Sequence, residues 1–513
     1  MKLRRRWILL LTLSLLLSPG LFLCLEHFRG GWRLADTREA LVAKGEKLTI
    51  LGNVPPSGEG PNQFRNALWI INRLPHEATT EPTPPAMLSV LPGRAMVGSR
   101  EPFWIGQDPK KHLLVTNTWE DFKSRVDPDH ASWNQLAEVL RAPHLDSRLD
   151  YSQSFALRLP HLARVKQSAH RLQSKVLWEL NAGRHSEALE ATQASVRLDR
   201  LLESEPLLIS HLVRAAIAAL ALPTTWECLQ AEGWSDDPLR QLQEAWEEQP
   251  WLGGISEALR MERAMFLDLA AQAHTDPAMV QQAIGSYSDM GWMDQNSTAY
   301  LLINELPFGK GMTDALQAIP WRIWLFTWFD QDVAHYSEVL QAGIDASLEA
   351  RENTSYLTMQ QVLDQIESRR AHLGTYDRWR YQFSVQTLPS LLGRFPQRMF
   401  AAEARRQLAV TAIALHRYKL RHQTFPSRLA DLTPDFLSSV PIDPMDGKPL
   451  RYRLNEDGSF LLYSVGENSL DDEGNAETNN PLRPTFSMGK DWVWPVAASR
   501  TEIDAYHERV REE

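Results

Sequence analysis

At 513 residues the chain is long enough for two or three domains and a sizeable core. A hydrophobic fraction of 43% and a mean hydropathy of -0.35 are those of a soluble globular protein and exclude a multi-span transporter. The net charge of -10, from 54 basic and 64 acidic residues, provides no basic footprint, so nucleic acid is excluded as the main partner. The two cysteines, Cys24 and Cys228, lie in an apolar N-terminal segment and in a helical pattern respectively, so no intrachain disulfide is expected. The 18 tryptophans are spread along the chain and read as anchors of helix packing.

The first element is an address. Lys2, Arg4, Arg5 and Arg6 precede an apolar run from Trp7 to Leu25, long enough to cross a bilayer as a helix. The basic residues before the run outweigh Arg29 and Arg33 after it. This predicts a cytoplasmic N-terminus (1–6), a single transmembrane anchor (7–25) in the cytoplasmic membrane, and a periplasmic main body. Ser18-Pro19-Gly20 is a poor cleavage site and Leu23 before Cys24 a poor lipoprotein signal, so an uncleaved anchor, kinked at Pro19, is expected. Residues 26–115 then read as a short juxtamembrane helix over Thr37–Thr49, stopped by Gly45, and as Pro-rich linkers, together a stalk lifting the body off the membrane.

From 116 to 395 apolar residues recur at helical spacing, which predicts an α-helical body. Leu172, Val176, Leu177 and Leu180 form one stripe and Ala188, Ala191, Ala194 and Leu198 a second, with Gly183 as the stop between them. The stretch Ala182–Asp199 resembles one tetratricopeptide hairpin. No second copy follows at the 34-residue period, so a generic helix pair is the expectation. Trp321, Trp324, Leu325 and Trp328 share a helical face behind Pro320 and predict a buried helix.

Residues 396–500 read as a small α+β domain, followed by a tail at 501–513. A helix over Met399–Gln423 has one apolar face (Phe400, Ala404, Leu408, Ala412, Leu415, Tyr418) and one basic face (Arg405, Arg406, Arg417, Lys419, Arg421). Two alternating strands, Leu450–Leu454 and Phe460–Val465, flank Asn455-Glu456-Asp457-Gly458, a hairpin signal. The fold class expected is therefore mainly α: an N-terminal transmembrane helix, a body of helix pairs with one TPR-like stretch, and a C-terminal α+β domain with a β-hairpin.

The order of helix, FPSRLADLTP, PIDPMDGKPLRYR and DGSFLLYSVGEN resembles the globular domain of type II secretion major pseudopilins over about a fifth of the chain. That resemblance implies a calcium loop, with Asn468, Asp471, Asp472 and Asp491 as the matching ligand positions. Calcium takes six to eight hard oxygens, which such a loop can supply; an acidic solvated loop without metal is the other reading. The helix begins near residue 399 rather than behind an N-terminal leader, so a pilus subunit is not expected. The layout, with GEKLTILGNVPPSGEGPN near the start, also resembles uncharacterised membrane-anchored envelope proteins of planctomycete and verrucomicrobial type.

No HExxH, GxSxG, phosphate-loop or GxGxxG motif is present, and FGKGMT (308–313) lacks the upstream glycine of a phosphate loop. No catalytic residue is assigned. The expectation is a structural or interaction protein of the bacterial envelope, with envelope or secretion proteins as partners. The alternatives are an envelope-polymer hydrolase with carboxylates assembled from distant helices, or an accessory protein of a type II secretion-like system.

Overall fold

The helix that begins at Lys2 does not stop where the apolar run ends. In the computed structural model, which describes residues 2–56, 58–74, 83–107, 114–126, 130–249, 251–273, 321–477 and 489–512, α1 runs unbroken from Lys2 to Ala43 through Pro19. Gly45, at φ +81, ends it. The separate juxtamembrane helix and the stalk are thereby corrected. Residues 26–46 lie against the body, because α1 carries polar groups at helical spacing that find partners there. Gln331 donates to the carbonyl oxygen of Glu26 at 2.8 Å, Arg33 pairs with Glu338 at 2.8 Å, and Thr37 donates to Glu338 at 3.0 Å. Gly30 permits the close approach, since a Cβ there would lie 3.0 Å from Gln331 Cγ. The opposite stripe of α1 (Leu21, Leu25, Phe28, Trp32) is exposed.

The predicted linker region contains strands. β1 (Leu88–Leu91) and β2 (Arg94–Met96) pair antiparallel, and β3 (Phe103–Gln107) and β4 (Leu114–Thr118) form a second two-stranded ribbon. The buried carboxylate of Glu227 holds the first pair to the body. It accepts from the backbone N–H groups of Met87 (2.9 Å), Gly98 (2.8 Å) and Ser99 (3.3 Å) and from the Ser99 hydroxyl (2.9 Å).

The helical body follows the predicted periodicity. α2 (Pro160–Asn181) and α3 (His185–Arg197) form the expected pair around Gly183, at φ +71, where Arg184 N–H returns to the Glu179 carbonyl at 2.8 Å. Their facing leucine and alanine stripes are buried. Next come α4 (Leu208–Gln230), α5 (Asp236–Glu247), α6 (Gly253–Ala273), α7 (Phe329–Glu352), α8 (Tyr356–Ala371), α9 (Gln382–Leu388) and α10 (Phe395–His422). Among the described residues, α4 is the helix whose length and apolarity would span a bilayer. It carries Arg214 and Glu227 buried in polar contacts and packs between α2, α3 and α10, so it is a core helix. Trp321, Trp324 and Trp328 are buried as predicted.

α10 is central rather than two-faced. Its apolar positions join the main core with α4, α5 and α6, and the expected basic face is partly enclosed at Arg405, Arg406 and Arg417, while Lys419 and Arg421 are exposed. Arg417 is buried against Asp236 (2.8 Å) and Gln243 (3.0 Å), and the Arg405 guanidinium lies 5.4 Å from the Trp492 ring centroid. Arg406 and Arg417 pair with Glu403 and Asp236, while Arg405 and Lys419 lie over the rings of Trp492 and Phe425.

The predicted hairpin is present. β5 (Arg451–Leu454) pairs with β6 (Phe460–Ser464) in the register Arg451↔Tyr463 to Leu454↔Phe460, and Gly458 takes the positive φ of the turn. β7 (Trp492–Val493) extends this sheet, and β8 (Val496–Ala497) crosses to pair parallel with β2. The C-terminal tail is a helix, α11 (Arg500–Glu512), whose Ile503 packs on Val90 and Met96.

Candidate functional site

The acidic loop is held together by its own polar groups. Asp491 is fully buried before β7, and its two oxygens accept N–H groups from Gly474 (2.8 Å), Asn475 (3.1 Å) and Asp472 (3.4 Å). Burial raises this carboxyl above its ordinary value, against the pull of those three donors. Asp471 takes Arg451 Nε at 3.0 Å and the Tyr463 hydroxyl at 2.9 Å, while Asn468 donates to Asp472 at 2.9 Å. The four predicted positions are therefore brought together, and each accepts at least one hydrogen bond from within the protein. Among the described residues no group of three or more His, Cys, Asp or Glu side chains is placed to hold a metal. The inserted segment 478–488 and FGKGMT lie outside the described residues.

One residue of the PIDPMDGKPL motif has a role that sequence did not reveal. Asp443, fully buried, accepts from Met445 N–H (3.0 Å), the Ser464 hydroxyl (2.8 Å) and Val465 N–H (2.8 Å). It ties the loop before β5 to the end of β6.

A second constellation lies in the helical body. A cavity of 480 Å³ opens between α4, the first turn of α6, the end of α7 and α10. α4 contributes His211 and Arg214, both nearly fully buried. Arg214 Nη2 lies 3.2 Å from Asp199 Oδ2, and its guanidinium carbon sits 4.9 Å from the Trp251 ring centroid. Arg214 Nη1 lies 3.3 Å from His211 Nδ1. A guanidinium only donates, so Nδ1 is the acceptor and the proton of the neutral ring is on Nε2. Burial, then the neighbouring Arg214 charge, push the His211 pKa down to about 3, which keeps the ring neutral. Burial pushes the Asp199 carboxyl up to about 7, with Arg214 pulling the other way.

The donors of this cluster are not used up. Among the described residues, His211 Nε2 and Trp251 Nε1 have no hydrogen-bond partner, and Arg214 Nη2 meets Asp199 only outside hydrogen-bond geometry. A buried donor without an acceptor costs about 1–3 kcal/mol, and His211 Nε2 and Trp251 Nε1 are two such donors in the wall of this cavity, shielded from its open space. The first turn of α6 adds to them. Its N–H groups lack intrahelical partners and its dipole favours negative charge. Gly253 and Gly254 form that turn, and Gly254 has no Cβ because one would lie 2.3 Å from His211 Cε1. Arg351 stands over the same helix end, where a Cβ on Gly253 would lie 3.6 Å from its Nη1.

Carboxylates line the rest. Glu403 is bound by Arg406 Nε at 3.0 Å and Gln407 at 2.9 Å. Glu203 and Glu257 also line the cavity. Desolvation against the cleft wall raises the Glu257 carboxyl, with Arg351, Arg214 and Arg260 pulling it down and Glu203 pushing it up. Glu203 is shared with an adjoining cavity of 480 Å³ lined by Arg141, Arg197, Arg200 and Glu248. The cleft therefore mixes three carboxylates, Glu203, Glu257 and Glu403, with three guanidiniums, of which Arg214 and Arg406 are paired with Asp199 and Glu403. Comparison with protein-family models, with curated proteins and with solved structures found no match.

Proposed function

We propose that the chain is a single-pass, membrane-anchored protein of the bacterial envelope, with its N-terminus inside, and that its helical body binds an oxyanion-bearing ligand in the cleft at the start of α6. The observation that carries the binding reading is the pair of buried N–H donors, His211 Nε2 and Trp251 Nε1, without hydrogen-bond partners among the described residues and beside the first turn of a 21-residue helix. Support for the anchor comes from Arg4, Arg5 and Arg6 before the apolar run, and from the exposed stripe Leu21, Leu25, Phe28 and Trp32 that prolongs it toward an interfacial tryptophan. The C-terminal helix-and-hairpin order supports a link to secretion proteins, which pull-down against pseudopilins tests.

Binding is tested by titrating the full-length protein in amphipol with inorganic phosphate and with acetate. Trp251→Phe removes one donor and little volume. A hydrogen bond to a charged group is worth about 1.5–3 kcal/mol, so this variant is expected to bind about tenfold more weakly or worse. Equal affinity for wild type and Trp251→Phe would remove the cleft from the account. Topology is tested separately by a C-terminal reporter that works only after export.

A hydrolase is the second reading, favoured by one observation: Glu203 and Glu257 line the same cavity and Glu257 is pushed toward protonation, as a general acid requires. Under it, Glu257→Gln abolishes cleavage of envelope polymer while leaving phosphate affinity within about twofold.

A further inference from the structure

A separate cavity of 370 Å³ lies where α1 crosses α7, beside α8 and α9. Its walls are apolar, from Val339 and Ala342 on α7, Ile366 on α8, and Val385 and Leu388 on α9. Seven of its fourteen lining residues are polar or charged, among them Arg33, His335, Glu338 and Arg369. Arg33 donates to the Tyr381 hydroxyl (2.6 Å) and pairs with the exposed Glu338 (2.8 Å), so these groups satisfy one another. His335 Nδ1 has no hydrogen-bond partner among the described residues. At the mouth, Arg369 is exposed and makes no ion pair among the described residues, while Arg370 pairs with Glu367.

An apolar chamber with a cation at its entrance accepts a tail and an anionic head. The size bounds the length from above, since the cavity is open to solvent at Ala342 and Arg369. At about 30 Å³ per water-sized group, 370 Å³ corresponds to about a dozen methylene groups. The location sets the supply. Arg33 is eight residues beyond Leu25, or about 12 Å of helix at 1.5 Å per residue, so the cavity sits close to the bilayer in the anchored protein.

We propose that this cavity holds the tail of a single-chain anionic amphiphile of about a dozen carbons, with its carboxylate or phosphate head at Arg369. The proposal is independent of the α6 cleft.

The probe is dodecanoate, with dodecyltrimethylammonium as its cationic counterpart, added to the full-length protein in amphipol and followed by equilibrium dialysis. Saturable one-site binding of dodecanoate is expected, with the cation bound much more weakly. Ala342→Trp fills the chamber and is expected to abolish binding. Arg369→Glu, at an exposed position that leaves the core untouched, is expected to weaken dodecanoate by about fivefold and to strengthen the cation. Phosphate binding in the α6 cleft should stay unchanged in both variants. Reconstitution in discs of phosphatidylglycerol or of phosphatidylcholine distinguishes the source. Competition by the first alone would assign the chamber to a two-chain membrane lipid and overturn the single-chain proposal, and competition by neither is the result expected. Absence of saturable dodecanoate binding, or binding indifferent to Arg369→Glu, overturns the proposal.

Discussion

Replacing Gly254 by alanine tests the cleft through one contact. At an open helix position alanine is favoured over glycine by about 1 kcal/mol, because it restricts the unfolded chain and has better helix propensity. At Gly254 the new methyl would lie 2.3 Å from His211 Cε1, 2.8 Å from Nδ1 and 3.0 Å from Nε2. Moving the imidazole breaks its contact with Arg214 and its packing against Phe395, whose ring centroid is 6.3 Å away. Overpacking of this kind costs about 1–3 kcal/mol. Gly253 is the internal control, since its added Cβ meets only the Arg351 guanidinium, at 3.6 Å from Nη1 and 3.8 Å from Cζ. Both substitutions share the helix-propensity gain, so their difference isolates the clash. Gly254→Ala should be less stable than Gly253→Ala by about 1–3 kcal/mol in paired urea and thermal melts. It should also lose phosphate binding, because the displaced ring carries Nε2 away from the cavity. Equal stability of the two variants would refute the packing of His211 on the start of α6.

Other outcomes follow from the same physics. His211 has a folded pKa of about 3 against an unfolded value near 6.5, so between those limits the unfolded chain binds the extra proton and stability falls as pH falls, by up to about 1.4 kcal/mol per unit. Asp199, raised to about 7, acts in the opposite sense between its unfolded value near 3.8 and pH 7, so His211→Asn should expose a stability that declines more steeply as pH rises through 4–6.5. Glu227→Ala should cost about 3 kcal/mol or more and free the 87–99 segment to rapid hydrogen exchange, whereas an unchanged exchange pattern would deny its role as the sheet's acceptor. Asp491→Ala should lower the melting midpoint by leaving three N–H groups without an acceptor. A calcium ion on this loop would make the wild-type midpoint fall in EDTA as well, and an EDTA-insensitive midpoint favours the amide-held loop.

Periodicity made much of the fold legible. The α2–α3 pair, the tryptophan-rich helix after residue 320, α10 and the β5–β6 hairpin all repeat apolar residues at 3.6 or 2 over a long enough stretch to define a face. The β1–β2–β8 sheet could not be seen this way. Its strands are two to four residues long, and β8 joins β2 across some 400 residues of chain. The docking of α1 was hidden because its partners, Gln331 and Glu338, lie about 300 positions away. The enclosed arginines of α10 looked like a solvated face because sequence does not say which helix has neighbours all round. The cleft was invisible for the same reason as β8: its groups come from residues 203 to 407. Two local signals could have marked it, namely His211 and Arg214 one turn apart in an otherwise apolar helix, and Gly253-Gly254 at a helix start beside Trp251.

The most direct measurement is an anomalous-scattering map from crystals grown in selenate, an oxyanion the size of sulfate. A selenium peak within hydrogen-bonding reach of His211 Nε2, Trp251 Nε1 and the first turn of α6, lost in Trp251→Phe, is the result expected. Selenate found only at scattered surface arginines, with the cavity floor holding water alone, would contradict the assignment of this cleft as the binding site.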